Sequence, residues 1–450
     1  MTIALVILAA GKGTRMNSDL PKVLHPIAHA PMLAHALRAG AALEPARTVV
    51  VAGHGADQLQ AALAEIDEMA EVALQSEQLG TAHAVDMARE TLAGFEGDIV
   101  VLYGDTPFVR PETLERMIAA RQSHDMVVLG FDTADTTARY GRLVMEGARL
   151  QRIVEYKDAS EDERALTLCN SGLLACDATV LFDLIAEVGN ENASGEYYLT
   201  DVVELANARG LSVTAIACDE SETLGVNSRA DLAAASAVFQ ANARAEALDN
   251  GVTMAAPETV YFAFDTVIGR DCTIEPNVVF GPDVTVESGA TIRAFTHLEG
   301  CHVSRGATVG PFARLRPGAE LSENAHVGNF VEIKNAIIGE GAKINHLSYI
   351  GDADLGARTN VGAGTITCNY DGVMKHRTTI GTDVFIGSDT MLVAPVTVGD
   401  GAMTATGTVV TRDVEPGAMA VARARQENKP GFATRLFDKL RAAKARKSEG

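Results

Sequence analysis

The chain is short of positive charge. Among its 450 residues, 38 Lys and Arg face 59 Asp and Glu, a formal net charge of −21 at pH 7. So acidic a chain disfavours general nucleic-acid binding. Cysteine is scarce and scattered. Cys169, Cys176, Cys218, Cys272, Cys301 and Cys368 form no C-x-x-C pair and have no histidine cluster beside them. That argues against a zinc site or a disulfide framework and for a reducing compartment. Long apolar runs are missing too. The opening run Ile3–Ala10 is too short to span a bilayer and follows no basic stretch, so it reads as a buried strand and the expected location is the cytoplasm. What remains is an ordinary globular composition, 47% hydrophobic and 22% charged, long enough for two domains.

The second half carries a repeat of six. Apolar residues recur at Ile268, Ile274, Phe280, Val286, Ile292 and Leu298, then at Val303, Val309, Leu315, Leu321, Val327 and Ile333. Ile338, Ile344 and Ile350 follow, then Leu355 and Val361, and finally Ile380, Ile386, Leu392, Val398, Thr404 and Val410. Thr404 alone is not apolar. A period of six suits neither an amphipathic helix nor a hairpin sheet. It suits a solenoid of short parallel strands, three hexads closing one triangular coil with the aliphatic residue pointing inward. The expectation is a left-handed parallel β-helix, with the five-residue steps falling at corners.

The first half alternates strand-like runs (Ile3–Ala9, Thr48–Ala52, Ile99–Tyr103, Met126–Phe131) with helical ones (Met32–Ala42, Ala56–Ile66, Ala82–Leu92, Pro111–Arg121). This predicts an α/β, Rossmann-like domain, a parallel sheet with helices on both faces and ligands beyond the strands' carboxyl ends. Ala230–Leu248 is Ala-rich and free of Gly and Pro, a connecting helix, with a hinge at Asn250-Gly251 and the solenoid starting soon after Pro257. The expected division is 1–229, a linker helix 230–250, and 251–450. Basic residues gather from Arg423 to Lys447, as a solvated end or as a patch near an anionic ligand.

Leu8-Ala9-Ala10-Gly11-Lys12-Gly13-Thr14-Arg15-Met16 follows the first strand. Its glycines let backbone N–H groups approach an anion, and Lys12 and Arg15 add positive charge. The G-K-[ST] ending of a P-loop is absent, and Met16 stands where a dinucleotide fingerprint has its third glycine. Continued to Pro21-Lys22-Val23-Leu24, the stretch resembles the signature of sugar-phosphate nucleotidyltransferases. The resemblance implies that Gln75 and Gln78-Leu79-Gly80-Thr81-Ala82 read a uracil ring, and that Tyr140-Gly141, Glu155, Asn170 and Asn227 bind sugar or metal. Tyr103-Gly104-Asp105 ends a strand at the ligand edge, where Asp105, with Asn227, can hold Mg²⁺ against a nucleotide phosphate. The resemblance further implies that Lys12 and Arg15 stabilise shifting charge during in-line attack on UTP and that Lys22 touches phosphate. By the same resemblance Leu8, Ala9, Ala10 and Gly11 would line the nucleotide pocket.

The solenoid carries its own non-repetitive set. Arg316 and Lys334 sit beside inward positions and should project outward, towards a phosphate. His346 comes two residues after the inward Ile344, near a corner. Asn360 to Gly372 lead into the one break in the hexads, about Thr367 to Thr379, and such a break usually serves binding. These stretches resemble the bacterial family of bifunctional N-acetylglucosamine-1-phosphate uridylyltransferase/glucosamine-1-phosphate acetyltransferases over nearly the whole chain. The resemblance implies that His346 deprotonates the amine of glucosamine 1-phosphate, whose attack on acetyl-CoA precedes uridylyl transfer from UTP to N-acetylglucosamine 1-phosphate. Imidazole suits a base at neutral pH, and Glu332 is a candidate to orient it. Arg316 and Lys334 would hold the sugar phosphate, and Tyr349, Asn360 and Lys375 the sugar. Ala363, Asn369, Tyr370, Ser388, Thr406 and Arg423 would line the acetyl-CoA cleft. The family also implies a homotrimer with acetyl-transfer sites between subunits. Two other readings stand beside it: a single-activity nucleotidyltransferase with an inert solenoid, and a non-catalytic regulatory subunit.

Overall fold

Every residue of Ile3–Ala9 is buried, so this strand needs cover on both faces and a partner along each edge. The partners are Arg47–Ala52 and Asp98–Tyr103, both parallel to it. Cover follows the alternation of side chains. Ile3, Leu5 and Ile7 pack with Leu33 and Leu37 of helix Met32–Ala41 and with Leu114 and Met117 of helix Pro111–Arg121. Ala4, Val6 and Leu8 pack with Val85, Leu181 and Val202 on the other side. The computed structural model describes residues 2–448. They form two compact units, one running to Glu246 and including Phe262–Phe264, the other taking Ala247–Tyr261 and everything from Asp265 onward.

In the first unit the main sheet runs Val213–Cys218, Met126–Asp132, Leu168–Asp177, Asp98–Tyr103, Ile3–Ala9, Arg47–Ala52, Glu71–Leu74. The predicted strands and helices are present, with Ala82–Leu92 split at Met87, where Arg89 turns to Asp86 and the Phe182 carbonyl. The sheet is not wholly parallel. Leu168–Asp177 runs antiparallel to both neighbours. After Met126–Asp132 the chain stays at the carboxyl edge, folds the hairpin Arg142–Glu146/Arg149–Val154, and re-enters the sheet from that edge without a crossover helix.

In the second unit every strand pair is parallel, and Ile274, Ile292, Val309, Val327, Ile344, Val361, Ile386 and Thr404 stack rung upon rung along one face. The first rung is Thr253–Met254 on Thr273–Ile274, earlier than expected, because this two-residue strand precedes the first hexad. The three short steps fall at one corner. Leu298 to Val303, Ile333 to Ile338 and Ile350 to Leu355 turn at Gly300, Asn335 and Asp352, with φ of 52°, 44° and 49°. Left-handed backbone there closes the corner with one residue fewer. Thr404 is fully buried because its hydroxyl accepts from Gly387 N at 2.9 Å and meets Thr390 Oγ1 at 3.0 Å. Val361 pairs directly with Ile386, so the excursion between strands Ile366–Cys368 and Thr378–Ile380 leaves the stack intact.

Another corner carries an apolar ladder. Phe295, Phe312, Phe330 and Leu347 are all exposed and all left-handed. The rings stack at centroid distances of 4.8 and 5.4 Å. The tail from Val421 to Lys447 is exposed throughout and holds the helix Phe432–Ser448. No helix among the described residues is long and apolar enough to cross a membrane.

Candidate functional sites

Leu8 pairs with Tyr103 across two adjacent parallel strands, so Ala9-Ala10-Gly11 and Gly104-Asp105 leave the carboxyl edge of the sheet side by side. Beyond them lies a cavity of about 260 Å³, lined by Leu8, Ala9, Ala10, Gly11, Lys22, Gln75, Gly80, Thr81, Tyr103 and Asp105. Two glycines shape its rim. Gly13 has φ +56°, and a Cβ there would sit 2.8 Å from Lys22 Cβ; Gly80 has φ +128°, and a Cβ there would sit 2.4 Å from the Tyr197 carbonyl oxygen. Gln75 is buried, its amide nitrogen 3.2 Å from the Gly80 carbonyl and 3.0 Å from His83 Nδ1. Gln78 donates to the Ala10 carbonyl at 2.5 Å.

A second cavity, about 190 Å³, shares Thr81, Tyr103 and Glu196 with the first and is lined also by Glu155 and Asn170. Gly141 accepts from Asn170 N at 2.8 Å, which sets the strand bearing Asn170 against the turn. Burial pushes the Glu155 carboxyl above its ordinary range. The Tyr103 hydroxyl is raised by burial and then by Asp105 and Glu155.

Lys22 Nζ donates to Asp105 Oδ2 and, at 3.2 Å, to Asn227 Oδ1. The two expected metal ligands are thus already joined by a cation. Hard oxygen donors of this kind suit Mg²⁺, which keeps water and substrate phosphates as its remaining ligands. Among the described residues no cluster of three or more His, Cys, Asp or Glu offers an alternative metal cage. Asn227 is fixed by its backbone N–H, 3.0 Å from Asp231 Oδ2 at the start of helix Arg229–Asp249. Lys12 and Arg15 are exposed on the loop and do not line the cavity. Arg15 does act on Asp231, whose carboxyl is held below its usual value: burial opposes this, and the Asn227 and Ser228 hydrogen bonds and Arg15 outweigh it.

Sequence reasoning passed over Glu196, which lines both cavities, and Arg142. Arg142 is fully buried and donates to the carbonyls of Thr136, Ala138, Tyr140 and Arg164 at 2.6–3.3 Å. It thereby holds the turn at Gly141. The signal was available: a lone cation between Gly141 and an apolar pair at the start of a strand.

In the solenoid His346 is exposed at a corner, its Nδ1 2.8 Å from Asn329 Oδ1 on the coil below. The partner is not Glu332, whose Oε1 accepts from Arg316 Nη1 at 2.8 Å and raises the Arg316 pKa. An amide oxygen can only accept, so in the neutral ring Nδ1 carries the proton and Nε2 the lone pair. Above His346 the same corner brings Ala363, Ser388 and Thr406 into a column. The marks are Gly364 N to His346 O at 3.4 Å, Asp389 N to Ala363 O at 2.7 Å and Gly407 N to Ser388 O at 2.8 Å.

At the far edge of the adjoining face sit the cations. Lys334 lies 3.7 Å from Asp352, and Lys375 reaches the same place from the excursion, its pKa lowered by the neighbouring Lys334 ammonium. Tyr349 lies on the face between, its hydroxyl 3.5 Å from Asn369 Nδ2. Tyr370 pairs with Lys375 across the excursion and donates to the Gly372 carbonyl at 2.6 Å. Asn360 stands apart, on the ten-stranded face, and Arg423 lies in the exposed segment after strand Met419–Ala420.

Comparison with known proteins agrees with this division. The MobA-like NTP transferase domain family matches residues 5–169, and the bacterial transferase hexapeptide family matches residues 265–300. Proteins named Bifunctional protein GlmU match from end to end. The one from Ruegeria pomeroyi is 76% identical over 449 residues, and the one from Ruegeria sp. (strain TM1040) 72% over 450, each covering 100% of both chains. That from Jannaschia sp. is 64% identical over 447 residues, 99% of this chain and 98% of its own. With a nucleotidyltransferase sheet, a hexapeptide solenoid and full-length relatives at such identity, the chain belongs to the GlmU family of bifunctional enzymes, nucleotidyltransferase and acetyltransferase in one polypeptide.

Proposed function

We propose that the solenoid acetylates glucosamine 1-phosphate with acetyl-CoA and that the first unit then uridylylates N-acetylglucosamine 1-phosphate with UTP, releasing pyrophosphate. The observation that carries this reading is His346, with Nδ1 tied to Asn329 and Nε2 free, at the foot of the Ala363–Ser388–Thr406 column. The amino sugar binds with its phosphate towards Arg316 and Lys334; Lys375, expected on the sugar, stands against Lys334 and so faces the phosphate too, and Tyr349 lies along the sugar. Nε2 takes a proton from the amine as its nitrogen attacks the thioester carbonyl carbon. The C–S bond breaks and the coenzyme leaves as its thiolate, which is then protonated. Acetyl-CoA lies along the column, with Asn369, Tyr370 and Arg423 completing its cleft.

In the first unit Gly80 and Gln75 form the wall for the uracil ring, and Glu155 and Asn170 meet the sugar. A sugar-phosphate oxygen attacks the α-phosphorus and pyrophosphate departs, with no covalent bond to the protein. Lys22 holds phosphate, while Lys12 and Arg15, exposed on the loop after the first strand, meet the polyphosphate. Mg²⁺, held by Asp105 and Asn227, would neutralise charge on the phosphates when bound. The protein's task is to position two polyanions.

The acetyl-transfer site is shared between copies of the chain in a homotrimer. Two observations support this: Asn360 lies on a different face of the solenoid from Lys334 and Tyr349 of its own chain, and the exposed Phe295–Phe312–Phe330–Leu347 ladder ends beside His346. Contiguous apolar surface of this kind marks an interface. The free cysteines and small-molecule substrates suit the cytoplasm. The test is His346→Ala in the full chain. Coenzyme thiol release should fall at least roughly a hundredfold while pyrophosphate release from UTP is unchanged; retained thiol release would remove His346 as the base.

A further inference from the structure

Asp352 brings a carboxylate to a corner that the proposed chemistry does not call upon. It is 6% exposed and left-handed, with φ 49°. Both oxygens are engaged: Oδ1 accepts from Asn335 Nδ2 at 2.6 Å, Oδ2 accepts from Asn369 Nδ2, and Lys334 Nζ stands 3.7 Å from Oδ2. The partners come from separate places in the chain. Asn335 and Lys334 belong to the coil below, and Asn369 opens the excursion. A buried carboxylate costs several kcal/mol unless it is paired and hydrogen-bonded, and here every contact is to a residue assigned to substrate or to that residue's neighbour.

We propose that Asp352 is a positioning residue, a clasp that fastens the excursion to the coil below so that Lys334 and Lys375 are held as a pair for the amino-sugar phosphate and Asn369 is held for acetyl-CoA. This rests on the phosphate and coenzyme assignments above. Two ammonium groups facing one another spread apart unless a negative charge stands between them. One carboxylate keeps them together yet leaves the pair a net positive charge for a phosphate dianion. The far foot of the excursion is pinned separately, by Arg377 on Asp354, so Asp352 governs the near foot and the substrate-facing residues beside it. Burial alone would raise the Asp352 pKa; the bonds from Asn335 and Asn369 and the charges of Lys334 and Lys375 outweigh it and lower it.

The test is Asp352→Asn in the full chain. Asparagine adopts left-handed backbone readily, so the corner is kept, but an amide has one acceptor oxygen and must lose Asn335 or Asn369. The KM for glucosamine 1-phosphate and that for acetyl-CoA should both rise about tenfold, with kcat less affected and pyrophosphate release from UTP unchanged. Lys375 is faced by Lys334, Asp352 and Tyr349, and Asp352 by Lys334, Lys375 and Arg377. Loss of the negative charge lowers the Lys375 pKa further. The alkaline limb of kcat/KM for glucosamine 1-phosphate should therefore move to lower pH, which a merely structural role would not cause. Unchanged KM values and an unmoved limb overturn the proposal. Lys334→Ala and Lys375→Ala, run alongside, separate the two failures: if they leave the KM for glucosamine 1-phosphate unchanged, the phosphate assignment falls and the clasp with it. Should Asp352→Asn fail to fold, Asn335→Gly removes one donor at a left-handed position and should raise the KM for glucosamine 1-phosphate roughly threefold without moving the limb; no rise would overturn the clasp.

Discussion

Lys22 stands where residue type alone misleads. The family resemblance marks it as a phosphate cation, and in the structure it bridges Asp105 and Asn227. A tethered ammonium and a divalent ion compete for the same pair of oxygens, so on the proposed assignment metal would displace Lys22 and free it for phosphate. Lys22→Met should therefore bind Mn²⁺ more tightly than the parent chain in the absence of nucleotide, by several-fold in calorimetric titration. Uridylyl transfer should at the same time fall about a hundredfold or more. Equal Mn²⁺ affinity would show that the bridge does not compete. The reverse lesson comes from Glu332. Sequence offered it as the orienter of His346, but a salt-bridged neighbour occupies it and a neutral amide, Asn329, takes the role. Which of two polar neighbours touches a ring depends on the stacking of coils one above another, and no spacing within a hexad reports that.

At the scale of elements, legibility followed periodicity. Ile3–Ala9, Ala56–Ile66 and Pro111–Arg121 occur over the residues expected, since the strand is apolar throughout for burial on both faces and each helix shows one face to the sheet. The rungs of the solenoid were equally plain, because the same position is buried in coil after coil. The strand Leu168–Asp177 and the hairpin before it were not foreseen. Their burial changes along their length, so neither alternation nor a continuous apolar run appears. Asn170 sits on that strand, Gly141 and Glu155 flank the hairpin, and all three were legible only through family resemblance. What orders them is Arg142. Arg142→Met would leave four backbone carbonyls without their donor, at a cost of about 3 kcal/mol or more. Urea unfolding of the first unit should register that loss, with a higher KM for N-acetylglucosamine 1-phosphate. A change within about 0.5 kcal/mol, the size of a neutral surface substitution, would mean that water replaces the guanidinium.

At the scale of the whole molecule, two machineries share a chain while drawing on different physics. The sheet gathers its ligand groups where parallel strands end; the solenoid gathers them where corners stack. Among the described residues only the second leaves a long apolar ladder exposed, and the proposed trimer answers that ladder. Phe312→Arg with Phe330→Arg should convert the assembly to monomers in analytical ultracentrifugation. Acetyl transfer should then fall at least about tenfold, in keeping with a site completed by a second copy, and pyrophosphate release should persist. A trimer that survives both charges would place the interface elsewhere.

The excursion between Cys368 and Thr378 departs from one corner while Val361 still rests on Ile386 along another face. Such a spindle keeps count on one side and lets length vary on the other. Reactive groups can thus be grafted at a bend and later exchanged, and the hydrophobic axis beneath takes no notice.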